Sequence, residues 1–109
     1  MSKLNLVAIR RDLHQHPETS LNEKRTSRVI AHHLQSLGLE PYSLSGTGVI
    51  TDLEGAHPGP TIALRADIDA LPIQEQSTVE FASRTPGVMH ACGHDAHTAV
   101  LLGAAEILS

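Results

Sequence analysis

Apolar residues recur along the chain in two rhythms, and the changes of rhythm divide it into elements. In KLNLVAIRRDLHQHP, Leu6, Ile9 and Leu13 fall at i, i+3 and i+7. That spacing predicts a short amphipathic helix, and Pro17 stops it because proline has no backbone N–H to donate to the preceding turn. The rhythm resumes in SLNEKRTSRVIAHHLQSLG, where Ile30, Leu34 and Leu37 form one stripe. Ser20 and Glu23 stand at capping-box spacing ahead of it and Gly38 stands at its end, so a second helix is predicted. Downstream the period drops to two. PYSLSGTGVITDLEG reads as two short strands around the Gly46 to Gly48 turn, with Val49, Thr51 and Leu53 on one face and Ile50 on the other.

AHPGP is a turn by its proline and glycine content. Residues 61–66 are then apolar on both faces until Arg65, the pattern of a central strand covered on both sides. IQEQSTVEFASRTPGVM has no clear period and is expected to be loop, with at most a short strand around residues 79–81. AHTAVLLGAAEIL, rich in Ala and Leu, predicts a third helix whose start Asp95 or Thr98 can cap.

Composition narrows the architecture. The chain has 109 residues, 40% of them hydrophobic but only 2% aromatic, so the core must be built from Leu, Ile, Val and Ala. With the order of elements, this predicts an α/β fold in which helices pack on a mixed sheet. A net charge of -4 gives no basic patch for phosphates, and aromatic stacking platforms are missing, which argues against nucleic acid as a partner. A single cysteine cannot form an internal disulfide, and the start MSKLNLVAIRRDLHQHP has no apolar run like that of a membrane span or signal peptide. The expectation is a cytoplasmic chain without a membrane partner.

Candidate chemistry gathers in HACGHDAHT, residues 90–98, which holds the only cysteine and three of the eight histidines. At a helix start, the partial positive charge lowers the cost of a thiolate at Cys92. Three readings fit the spacing: Cys92 and His94 as metal ligands, Cys92 as a nucleophile activated by His90, His94 or His97, or Cys92 as a small buried hydrophobe among capping residues. Two ligands do not complete a four-coordinate site, and Asp67 and Asp69 could contribute. If the strand over 61–66 persists, Arg65, Asp67 and Asp69 share one side of it, as a site or as a plain salt bridge at the strand exit. His32 and His33 read as solvated helix residues and His57 as exposed.

Three stretches resemble successive signatures of the metal-dependent aminoacylase and carboxypeptidase-like amidohydrolases. They are RRDLHQHPETSLNEKRT, LRADIDALPIQE and MHACGHDAHTAVLLGAA, in that order. The branch they are most similar to is that of hippurate hydrolase, N-acyl-amino-acid amidohydrolase and the auxin-conjugate hydrolases. The resemblance implies a metallopeptidase-type catalytic domain of which residues 1–109 are the N-terminal, truncated part, the dimerisation domain and the rest of the catalytic domain being absent. It implies that Cys92 and His94 ligate a pair of divalent ions, Zn, Mn, Co or Ni. Asp69, in DALP, would be the outer carboxylate of the catalytic site that steadies a ligand and tunes its basicity. His97 and Asp95 lie close by, as outer groups or as helix caps.

The activity implied is hydrolysis of the amide bond of N-acyl amino acids or small peptide-like conjugates by metal-activated water, with a glutamate as general base. In that family the glutamate lies a few dozen positions after the cysteine, outside these residues; Glu106, about three turns beyond the loop, is too far to replace it. The isolated chain is therefore expected to be inactive, and complete members to be homo-oligomers. The competing expectation is a non-catalytic metal-binding or interaction fragment that pairs with another chain.

Overall fold

The computed structural model describes residues 4–109. Helix α1 spans Leu6–Gln15 and starts where Asn5, in extended conformation, accepts a hydrogen bond from Ala8 N on its side chain at 3.1 Å. Its apolar stripe buries Ile9 and Leu13, as the i, i+3, i+7 spacing requires.

Helix α2 spans Lys24–Ser36. The expected capping box does not form: Glu23 occupies the cap position without a side-chain cap bond, and Glu18 does the work instead. Its carboxylate accepts from Thr26 N at 2.6 Å, Thr26 Oγ1 at 2.7 Å and Arg25 N at 3.0 Å. A carboxylate arriving from outside the helix reaches three donors at once, which a serine hydroxyl cannot. Glu23 turns away and accepts from Thr47 Oγ1 at 3.2 Å. The far end of α2 closes as anticipated at Gly38, whose φ of +82° permits Gly38 N to reach Gln35 O and Leu39 N to reach Leu34 O.

Strands β1 (Tyr42–Leu44) and β2 (Gly48–Ile50) form an antiparallel hairpin in which Ser43 faces Val49. Ser45 and Gly46, both at positive φ, make the turn. Helix α3, His94–Leu108, follows the loop that carries the cysteine. The core lies where α1, α2 and α3 meet: Ile9, Leu13, Ile30, Leu34, Ala99 and Leu102 are buried together, with Val49 of the hairpin packed at the margin. Close approach of α1 and α3 is possible because Gly103 has no side chain; a Cβ there would stand 2.6 Å from Leu6 Cδ1.

One strand expectation is not met. Residues 61–66 lie outside the sheet, with Ile62 80% and Leu64 58% exposed. A run that is apolar on both faces needs cover on both faces, and the described residues supply neither a neighbouring strand nor an overlying helix there. The stretch expected as loop is loop, with no strand at residues 79–81; it leaves Leu71 and returns at Met89 through an isolated antiparallel bridge. Among the described residues no helix is long and apolar enough to cross a membrane.

Candidate metal centre

Gly93 is the hinge of the site. It sits at φ +83°, the left-handed region that side chains resist, and from there the chain enters α3 with His94 as the first helical residue. Asp95, expected as a cap, does not cap: its carboxylate leaves its own helix and meets α1, accepting from Arg10 Nε at 2.9 Å and pairing with His14 Nδ1 at 2.8 Å. Thr98 does not cap either; its hydroxyl donates to Asp67 O at 3.3 Å.

That bond brings residues 67–69 beside His94. His94 Nδ1 lies 2.9 Å from Asp69 O and 3.0 Å from Asp69 Oδ1. Both atoms are acceptors, so Nδ1 carries the proton, and Nε2 keeps its lone pair in the neutral ring. On the Nε2 side, Asp67 Oδ2 stands at 4.0 Å, beyond hydrogen-bond reach. The two aspartates thus address opposite nitrogens of one ring. Asp67 also takes Arg65 Nη2 at 2.7 Å in an exposed pair, the plain salt bridge that the sequence pattern offered as the alternative.

Cys92, one residue before Gly93, is exposed, which removes the reading of a sulfur sealed in the core. His90 takes the opposite position: it is 4% exposed, and neither ring nitrogen has a hydrogen-bond partner among the described residues. Burial holds its pKa below the ordinary histidine value, favouring the neutral ring. His97 is exposed on the next turn, its ring centroid 6.4 Å from that of His94. His32 and His57 are exposed and His33 half-buried, away from the loop in sequence and element.

The donor chemistry fits a divalent ion in part. A histidine whose Nδ1–H is held by a carboxylate presents Nε2 as a metal-ligating histidine does, and an exposed thiol stands two residues away. No group of three or more His, Cys, Asp or Glu side chains that could hold an ion comes together among the described residues. Cys92 and His94 offer a thiol and an imidazole of the kinds that ligate a divalent ion.

What the sequence reading missed lies under the loop. His14 Nε2 pairs with Glu75 Oε1 at 3.0 Å while its Nδ1 pairs with Asp95, and its ring meets Phe81 edge-on at 5.6 Å. Arg10 and Arg11 also lie against Phe81, at 5.0 and 4.7 Å. Glu75 accepts in addition from Ser83 N at 2.8 Å and from Ser77 Oγ. Burial pushes its carboxyl upward, but the bonds from Ser77, Ser83 and His14 outweigh it and leave its pKa below the usual glutamate range. The one available signal was Arg10 and His14 at i, i+4, two polar groups on the flank of an apolar stripe.

The model of peptidase family M20/M25/M40 matches residues 63–109, the span from the start of the Asp67/Asp69 segment to the end of α3. The backbone superposes on that of YXEP, a dinuclear metal binding peptidase from the M20 family of Bacillus subtilis, with a TM-score of 0.91 at 50% identity over 94% of this chain and 30% of that one. The likeness is to family M20. Two further relatives extend it. It is 55% identical over 108 residues to the N-acyl-L-amino acid amidohydrolase of Geobacillus stearothermophilus, covering 98% of this chain and 29% of that protein. It is 50% identical over 105 residues to thermostable carboxypeptidase 2 of Saccharolobus solfataricus, covering 94% and 27%. The chain thus spans less than a third of the length of these M20 relatives. Its α/β layout of three helices and a hairpin corresponds to the N-terminal part of the M20 peptidase domain.

Proposed function

We propose that this chain is the metal-binding N-terminal portion of an M20 amidohydrolase that cleaves the amide bond of N-acyl amino acids. The observation that carries the reading is the His94 to Asp69 pair: a carboxylate 3.0 Å from Nδ1 turns Nε2 toward coordination, and Cys92 lies two residues before it. The names of the Geobacillus and Saccharolobus relatives support hydrolysis of a C–N bond, and the dinuclear centre of the Bacillus peptidase supports a pair of divalent ions. Zn, Co and Ni are the ions that a thiolate and an imidazole favour over Mg or Ca, and Mn would need carboxylate ligands beside them.

In this reading Cys92 and His94 would hold one side of the metal pair, Asp69 would orient His94, and Asp67, near Nε2, would act on the approach to the ions. The bound ions would polarise the substrate carbonyl and supply a nucleophilic water near neutral pH. This chain's own part is to present a thiolate at the start of α3 and a histidine in a fixed tautomer. Residues 1–109 are proposed as part of one catalytic domain, whose general base and remaining ligands lie in the portion of the relatives that this chain does not match.

The test is metal stoichiometry by mass spectrometry together with release of free amino acid from N-acetyl amino acids. The expected result is that the chain binds divalent metal and that Cys92→Ser and His94→Ala each lose it. A chain that binds no metal, or binds it equally well in both variants, sinks the assignment. Amide hydrolysis by this chain without another segment would refute the location of the base.

A further inference from the structure

Four polar side chains, bases alternating with carboxylates, form a line from the first helix to the third and on to the loop after Leu71: Arg10, Asp95, His14 and Glu75. Three of the four are closed to solvent, with Asp95 0%, Glu75 3% and His14 4% exposed at the side chain. His14 faces a carboxylate oxygen from each of its nitrogens, at 2.8 Å from Asp95 and 3.0 Å from Glu75, so the ring is gripped at both ends. Such a line is a poor device for stability, because taking charges out of water costs as much as their attraction returns, and apolar packing of equal volume does as well. What it does supply is a fixed position.

Its position bears on the proposed metal centre. Asp95 follows His94 directly, and successive helical residues point roughly 100° apart. While Asp95 reaches inward to α1, His94 reaches across to Asp69. Holding Asp95 therefore sets how far the first turn of α3 is rotated about its own axis, and with it the direction of His94. The other end of the line is equally anchored, since Glu75 is held by Ser83 N and Ser77 Oγ. Gly93, which can hinge freely, would otherwise leave that first turn adjustable.

We propose that His14 is a positioning residue of the Cys92/His94 centre, fixing the rotation of α3 at its start by clamping Asp95 against Glu75. This rests on the metal reading given above. The two nitrogens of His14 have different tasks, and amide side chains separate them. In His14→Asn the amide group falls near Nδ1 and can keep the bond to Asp95; in His14→Gln it falls near Nε2, keeping Glu75 and releasing Asp95.

The experiment is a Co²⁺ titration of the chain, read by the thiolate-to-cobalt charge-transfer absorption, with circular dichroism to establish that each variant is folded. His14→Gln should lower Co²⁺ affinity about tenfold and alter the absorption, the size seen when an outer partner of a ligand is removed. His14→Asn should stay close to the parent. Where His14→Gln does not fold, Asp95→Asn, which keeps the shape and removes the charge that His14 clamps, takes its place with the same expected loss. Equal affinity in all variants, or equal loss in the Asn and Gln variants, overturns the positioning role and leaves the metal reading standing. Absence of the thiolate band in the parent, or its survival in Cys92→Ser, overturns the metal reading and this inference with it.

Discussion

At His94 one ring nitrogen is already committed to Asp69, so what the ring can do next depends on a carboxylate that need never touch an ion. Asp69→Ala is expected to lower divalent-metal affinity by about 10- to 100-fold with the fold retained, measured by isothermal titration. Glu75 gives a prediction with a sign. Its folded pKa lies below the ordinary glutamate value, so the unfolded chain binds the extra proton, and the stabilisation is complete above the ordinary value and lost as pH falls through the folded one. Urea midpoints between pH 6 and pH 3 should therefore fall less steeply in Glu75→Gln than in the parent. Cys92, His94 and Asp69 were legible as candidates because they sit in two short motifs where unlike donors are crowded. His14 was not, since a histidine on an amphipathic helix reads as a solvated flank, and its partners Glu75 and Asp95 lie 61 and 81 positions away.

Among the elements, the helix ends carry the testable energetics. Glu18→Ala removes the acceptor for three donors at the start of α2 and should cost about 1 to 2 kcal/mol in chemical denaturation, whereas Ser20→Ala should cost nothing measurable. Gly93→Ala meets open space but must hold φ near +83°, and about 1 to 2 kcal/mol is expected there as well. The first two helices could be read from periodicity because each buries a stripe of its own, the third from its Ala and Leu content, and the hairpin from its glycine turn. The start of α2 could not: its cap comes from Glu18, outside the window in which a capping box is sought. The strand over 61–66 failed for a different reason. A two-faced apolar run announces burial, and burial is a property of what lies on either side, which the run itself does not encode.

Over the whole molecule the packing is open. The radius of gyration is 14.5 Å, above the roughly 13 Å of a compact chain of this length, and Ile62, Leu64, Val100 and Ile107 are each more than half exposed. Apolar area of that kind drives association. Sedimentation velocity is expected to show concentration-dependent self-association, reduced in Ile62→Lys and Val100→Glu. The class of the fold was visible in the order of elements; its looseness was not, because composition reports how much apolar material a chain has and not how much of it finds a partner. Apart from the bond that His94 Nδ1 itself makes to Asp69 O, the segment that carries Asp67 and Asp69 is clipped at two points, by Thr98 Oγ1 on Asp67 O and by Glu18 O on Ala70 N, with no ladder of strand bonds between. It behaves as a beam resting on two supports, one on the third helix and one on the bend that leads into the second. The stiffness of His94's carboxylate brace is thus inherited from a threonine hydroxyl and a single carbonyl, and loosening either support slackens the brace without altering any group that would face an ion.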